Sequence, residues 1–227
     1  MKNQMDRNAK SRQRFDRIAP VFDLLQWPME RLFMAGWRKR AISELGNGRL
    51  LEVGVGTGKN IPHYPPGMAA TAVDISRKML AKARRKVAKL NAGQIHLIEA
   101  DAQALPLASS TFDQALASFT FCTVADPVKG LQEMARTVRP GGTIILLEHM
   151  RPQSRWIGSL FDLLNPLVVR ILGDNINRRT LENVQAAGLH TRRVIDLKGT
   201  TVRIIIATVD SSLPASTQLP ESPQQLV

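Results

Sequence analysis

The stretch Leu50-Leu51-Glu52-Val53-Gly54-Val55-Gly56-Thr57-Gly58 decides how the rest of the chain is read. An apolar run that fits a buried strand stops at a loop with glycine at every second position. Lacking a Cβ, such a loop can bring its backbone close against a ligand. Sixteen residues past Gly58, a second apolar run (Ala69-Ala70-Thr71-Ala72-Val73) ends on Asp74, with Ile75 beside it. A carboxylate at the tip of a second strand can accept hydrogen bonds from both hydroxyls of a ribose. Together they describe a nucleoside-containing ligand lying across the carboxyl ends of two adjacent parallel strands.

The dinucleotide fingerprint, G-x-G-x-x-G, spaces its third glycine for packing against a pyrophosphate-binding helix. This chain has a tighter repeat, with Glu52 before the first glycine. A carboxylate there repels a pyrophosphate but can orient water or a cationic group. The pattern therefore favours a ligand with an amine or sulfonium and no phosphate, which is S-adenosylmethionine. The plain alternative is a glycine turn in an α/β protein that binds no nucleotide.

The 227 residues suffice for one α/β domain with a full core. Thirty-one Lys and Arg against nineteen Asp and Glu leave +12, which points to anionic partners, either nucleic acid or an acidic membrane surface. Seven basic residues and no acidic one fall between Arg77 and Lys89, on a helical pattern that could equally be a solvated face. The single Cys122 excludes an intramolecular disulfide and fits a reducing compartment. The charged N-terminus does not resemble a secretory signal, and no apolar run approaches the roughly 20 residues of a membrane span. A cytoplasmic protein, peripherally attached to a membrane, is expected.

Residues 1–14 are polar and read as flexible. A basic amphipathic segment with a helical pattern follows over 15–45, broken at Pro20 and Pro28, so that 1–47 forms an N-terminal segment. It could lie on a membrane or pack on the domain. Strands and helices then alternate over 48–209, which predicts a doubly wound α/β fold. Strands are expected near 49–54, 70–74, 94–99, 112–118, 143–149, 190–197 and 201–208. Helices are expected near 76–91, 127–138 and 178–187, with a short one after Gly58. Only Lys198-Gly199-Thr200 separates the last two strands, so they must pair antiparallel. The expected sheet is thus seven-stranded and mostly parallel, with helices on both faces. Residues 210–227, rich in Ser, Pro and Gln, read as a disordered tail.

Glu52-x-Gly54-x-Gly56-x-Gly58, Asp74 and the terminal hairpin resemble the Rossmann-like S-adenosylmethionine-dependent methyltransferases, over roughly 48–208. The resemblance implies that Glu52, Gly54, Gly56 and Gly58 hold the donor's methionine part and Asp74 its ribose. It also implies Asp101 and Ala102 at the adenine, and Ser118 and Phe119 beside the methionine. Arg139-Pro140-Gly141-Gly142 looks like the family's turn into strand five. Arg14 to Asp23 resembles the opening of quinone methyltransferases and bacterial phospholipid N-methyltransferases, though with Phe15 and Phe22 where those carry tyrosine. The longer, Tyr-rich segment of the quinone enzymes is missing after strand five, which ranks quinone methylation lower. Gly58 to Gly67 and Leu147-Glu148-His149 look like the phospholipid enzymes and equally like membrane-associated alkyl-thiol methyltransferases. Gly173 to Arg179 adds to the thiol-enzyme likeness.

Eleven of the seventeen residues from Trp156 to Leu172 are large and apolar, within an insert over 150–177. This insert could cover the transfer site, or pack as core. The expected acceptor is a lipid amine, phosphatidylethanolamine or its methylated forms, on an anionic membrane. Thiol S-methylation and a non-catalytic donor-binding or RNA-associated module are the alternatives. His149, at a strand tip, is the candidate general base, because imidazole titrates near neutrality. His63 and Tyr64 are weaker candidates for orienting the acceptor. Ser118-Phe119-Thr120-Phe121-Cys122 lacks the Pro-Pro run of base-amino methyltransferases, which argues against nucleic acid. No metal-ligand spacing is present.

Overall fold

The computed structural model describes residues 2–172 and 175–210. Its strands are β1 Leu50–Val53, β2 Ala70–Asp74, β3 Ile95–Glu99, β4 Phe112–Ser118, β5 Val138–His149, β6 His190–Lys198 and β7 Val202–Thr208. Its helices are α1 Lys2–Met29, α2 Ala35–Ile42, α3 Arg77–Lys89, α4 Pro127–Thr137, α5 Arg155–Leu172 and α6 Thr180–Ala186. The strands form one seven-stranded sheet in the order β3-β2-β1-β4-β5-β7-β6. Neighbours run parallel except at β7, which is antiparallel to both β5 and β6.

Side-chain alternation splits the core into two layers. Leu51, Val53, Ala115 and Ala117 pack with Leu131 and Met134 of α4 and Val184 of α6. Leu50 and Leu116 pack on the other face with Ala41 and Ile42 of α2 and Leu80 and Ala83 of α3. β7 is buried along its whole length, whereas β6, at the sheet edge, is largely exposed and carries Arg192, Arg193 and Lys198. Charge on an edge strand discourages pairing with another chain. The strand order reverses between β1 and β4, and ligands of open α/β sheets bind at such a point.

Three expectations need correcting. β5 begins at Val138 rather than 143, because Arg139-Pro140-Gly141-Gly142 is a bulge within the strand. Gly142 cannot carry a side chain there, since a Cβ would lie 2.4 Å from Val138 and 2.7 Å from the Asp113 carbonyl oxygen. Residues from Lys2 onward are helical rather than flexible, and α1 continues through Pro20 and Pro28. Directly after Pro28 the helix widens into a π turn, Glu30–Met34, in which the Ala35 N–H reaches the Glu30 carbonyl. Finally, among the described side chains of α5, Trp156, Leu160, Leu163 and Leu164 are exposed rather than packed as core. Of the expected disordered tail over 210–227, only Asp210 is described; residues 211–227, like Gly173 and Asp174, lie outside the described residues.

Candidate active site

A crevice of about 930 Å³, including its open mouth, lies beyond the carboxyl ends of β1, β2 and β4. The glycine loop forms one wall. Gly54 (φ +75°) and Gly56 (φ +55°) both line it in left-handed conformations that favour glycine. A Cβ on Gly54 would fall 2.3–2.8 Å from the Thr120 side chain, whereas one on Gly56 would meet no atom within 4 Å. The loop therefore leans on the segment after β4 at Gly54 and stands clear at Gly56. Gly58 does not line the crevice, because its place is against Ile61 and the Ala83 backbone of α3.

Asp74, at the tip of β2, ties the loop to the next helix. Its Oδ2 accepts the Gly56 N–H at 2.8 Å, and its Oδ1 accepts the Ser76 N–H at 2.8 Å. Burial raises its pKa to about 6, opposed by the Ser76 and Gly56 amides and reinforced by the Asp16 charge. Asp101 follows β3. Its Oδ1 accepts from the Gln103 N–H (2.9 Å) and Nε2 (3.0 Å), and its Oδ2 accepts from the Asn8 amide. Ile75, Ala102, Ser118 and Phe119 complete the expected residues found at the crevice. Phe119 holds φ +55°, unusual for a residue with a Cβ and typical of functional sites.

Glu52 and His149 are not at the crevice wall. Glu52 shares the face of Leu50, beneath the loop, and is 1% exposed. Its Oε1 accepts from Asn60 Nδ2 at 2.7 Å and its Oε2 from the Tyr64 hydroxyl. Burial pushes its pKa up to about 7, against the Asn60 hydrogen bond and the Arg38 charge. Its place is thus to brace the donor loop from below. Asn60 also donates to Ser118 Oγ at 3.0 Å and accepts from Arg38 Nη1 at 3.2 Å, so β1, β4 and α2 meet at one amide. His149 stacks obliquely on Phe119, ring centres 6.3 Å apart. Glu148 instead turns inward and accepts the N–H groups of Thr120 and Phe121, both at 2.9 Å. His63 also lies off the crevice, and burial, with Lys39, lowers its pKa.

The N-terminal helix packs over the crevice as a roof, through residues that the sequence did not single out. Asn8, Ser11, Phe15, Phe22 and Gln26 of α1 line the crevice from above. Asp16 accepts from Ser76 Oγ (2.7 Å) and the Lys78 N–H (3.1 Å), and Asp23 accepts from Thr57 Oγ1 at 2.7 Å. Arg12 pairs with Glu99. Residues 8, 12, 16 and 23 recur at the helical interval, so a polar stripe was the available signal. Arg38 and Lys59 also line the crevice. The loop after β4 is braced from below: Asn175 Nδ2 donates to the Cys122 carbonyl (2.9 Å) and Arg178 Nη2 to that of Val124 (2.6 Å).

Two carboxylates at neighbouring strand tips, a bare backbone loop and an apolar mouth suit a ribose and an adenine. A pyrophosphate would meet Asp74 and Asp101 instead of a cradle of amides. With this strand order, the fold and crevice are those of a Rossmann-like methyltransferase. The family described as a methyltransferase domain matches residues 51–146. The ubiquinone/menaquinone biosynthesis C-methyltransferase of Geotalea daltonii is 30% identical over 176 residues, 74% of this chain and 75% of that protein. The phosphatidylethanolamine N-methyltransferase of Cereibacter sphaeroides is 41% identical over 103 residues, 45% of this chain and 51% of that protein. A Thermotoga maritima S-adenosylmethionine-dependent methyltransferase, a possible histamine N-methyltransferase, superposes with TM-score 0.68 at 20% identity. That match covers 87% of this chain and 99% of the other. The chain belongs to the S-adenosylmethionine-dependent methyltransferases, and S-adenosylmethionine is its donor. Quinone methyltransferases match over most of both chains, whereas the phosphatidylethanolamine enzyme matches about half of each.

Proposed function

We propose that the protein methylates a lipid-borne acceptor at an anionic membrane surface, and that this acceptor is the amine of phosphatidylethanolamine or its methylated forms. In this reading the loop at Gly54 and Gly56 carries the donor's methionine part, with Ser118 and Phe119 beside it. Asp74 takes the ribose hydroxyls, next to Ile75, while Asp101 and Ala102 take the adenine. The donor supplies an electrophilic methyl on sulfur. The chain supplies alignment and exclusion of water under the α1 roof.

The observation that carries the reading is the oily, basic exterior around the crevice. α1 turns Phe22 and Gln26 to the crevice while exposing Leu24, Leu25 and Trp27 to solvent. Leu32 and Phe33 continue this surface, with Arg31 over the Trp27 ring (5.7 Å) and Lys198 over Phe33 (5.0 Å). Two residues past Lys198, Thr200 Oγ1 accepts the Gln153 N–H at 3.0 Å, just before α5 and its exposed Trp156, Leu160 and Leu163. Exposed aromatics and aliphatics set among cations suit an interface with acidic lipid. No described helix is long and apolar enough to cross a membrane. This exterior supports peripheral attachment.

Quinone C-methylation is the second reading, favoured by the relatives that match over most of both chains. It shares the lipid-borne acceptor and differs in the atom methylated. Labelled donor should be offered with phosphatidylethanolamine in phosphatidylglycerol vesicles, with a demethylated quinol in detergent, and with small thiols. Label in the phospholipid is expected. Label only in the quinol installs the second reading, and label only in thiols removes the lipid acceptor altogether.

A further inference from the structure

α3 carries seven basic residues and no acidic one over Arg77–Lys89. Two of the seven turn toward α1. Lys82 reaches Asp23 at 3.7 Å and the Pro20 carbonyl at 3.0 Å, and Lys86 is partly buried within the field of the same Asp23. The other five, Arg77, Lys78, Arg84, Arg85 and Lys89, are exposed, and none forms an ion pair among the described residues. Cations on other helices are set against carboxylates, as Arg136 is against Glu133 and Arg179 against Glu182.

This arrangement works against the helix that carries it. Lys78 and Lys82, Lys82 and Lys86, and Arg85 and Lys89 stand four residues apart, a spacing at which like charges repel. Arg77 and Lys78 fall in the first turn, at the positive end of the helix dipole. A helix face that serves only to be solvated mixes both signs. α1 sorts its charges in the same direction. Asp16 and Asp23 turn inward onto Ser76, the Lys78 N–H and Thr57, while Lys10 and Arg17 stay exposed. Arg17, Pro20 and Leu24 recur at the helical interval, and Pro20 is the residue that Lys82 of α3 touches. The cations of α3 therefore border a flank of α1 on which Leu24 is 76% exposed, and Leu90 lies uncovered where α3 ends.

We infer that this joint face of α3 and α1 seats on a bilayer containing anionic phospholipid. The inference rests on the membrane reading proposed above and adds the element that supplies the attraction. Lysine and arginine are drawn to the surface charge of an acidic headgroup layer, and apolar side chains beside them enter the lipid. A nucleic acid would meet the cations equally well. It would leave Leu24 and Leu90 uncovered, however, and would find no aromatic ring on α3 on which to stack a base. A bilayer uses both parts of the face. Because α1 roofs the crevice, this seat holds the crevice at the headgroup layer.

The test is flotation of the full chain with vesicles of phosphatidylglycerol and phosphatidylcholine at low salt. A Lys78→Glu, Arg85→Glu, Lys89→Glu variant should bind them at least about 100-fold more weakly, at roughly fivefold for each cation. An Arg49→Glu, Lys129→Glu, Arg192→Glu control makes the same change in net charge at exposed positions on β1, α4 and β6, and should lose less than about tenfold. Both should keep wild-type affinity for S-adenosylmethionine by calorimetry, since none of these side chains lines the crevice. If the α3 reversal fails to fold, the corresponding triple alanine variant reads the same loss at smaller size. Equal weakening in the α3 variant and the control would make net charge the cause and overturn the inference, as would flotation that survives the α3 changes. Total RNA retained by wild-type protein and released by the α3 variant, with flotation kept, would give the face to nucleic acid and also overturn it. Wild-type protein that never floats would instead remove the membrane reading on which the inference stands.

Discussion

α1 and α5 invert the usual rule for surface helices. α1 is polar over its first half, yet it is laid against the body through Asn8 and Arg12 of that half and Asp16 and Asp23 beyond it. α5 is the oilier helix, yet it turns Trp156, Leu160 and Leu163 into solvent. It is steadied instead by charge: Arg151 makes a forked contact to Asp162 at 2.9–3.1 Å, and Asn177 adds a bond at 3.1 Å. The lesson is that a helix packs where its partners' needs are met. The crevice rim offers carboxylates, amides and a helix N-terminus, so polar residues suit it. Large apolar side chains left uncovered on a surface helix are what an interaction face would present.

The contrast can be broken hardest at the loop beneath α1. Gly54→Ala places a methyl group against Thr120 and strains a left-handed residue. A loss of about 2–4 kcal/mol and of donor binding is expected by melting and calorimetry. Gly56→Ala, with open space around it, should cost only about 1 kcal/mol of fold stability. Comparable costs at the two glycines would remove the distinction between a packed and a free loop position.

A second, smaller effect concerns the buried acid under the roof. The Glu52 pKa is raised from 4.5 to about 7 by burial, so the folded protein binds the extra proton between those values. Its contribution is therefore fully present below pH 4.5 and is lost as pH rises through about 7, amounting to about 3 kcal/mol. Glu52→Gln, which can keep the Asn60 bond, is expected to be more stable than wild type at pH 8 and equal to it near pH 4. A parallel pH dependence of melting in both proteins would count against the burial argument.

Asp74→Ala should lower donor affinity by about 10- to 100-fold, through loss of charged hydrogen bonds. An unchanged affinity would move the ribose elsewhere. The mildest change is expected at α5. A Trp156→Ala, Leu160→Ser, Leu163→Ser variant should shift stability by no more than about 0.5 kcal/mol per site, since these side chains are exposed. It should nonetheless reduce flotation with phosphatidylglycerol vesicles at low salt. Stability losses of several kcal/mol would show that α5 is core after all.

Much of the sheet was legible because strand periodicity and glycine spacing are local signals. The run before Gly54 and the run before Asp74 each name a strand and its tip. The placement of Glu52 was not legible, because the same spelling serves a carboxylate facing the ligand or one turned under the loop. Its face is set by the pleat, on the side where Asn60 and Tyr64 wait. His149 likewise lies at the strand tip as expected, but its ring goes to Phe119. Which residues of α1 form the roof was not legible, because apolar periodicity was the guide and α1 docks by its polar stripe.

By itself, the order of residues determined the alternation of strands and helices, the tight loop at Gly54 and Gly56, and an acid at the tip of β2. Those follow from backbone sterics and side-chain period over a few neighbours. Only the tertiary structure decided which charges share a crevice. Arg38, Asn60 and Ser118 are separated by up to 80 residues, and Asn8 and Asp101 by 93. Their meeting depends on how whole layers pack, and the burial that sets their chemistry exists only once those layers have closed.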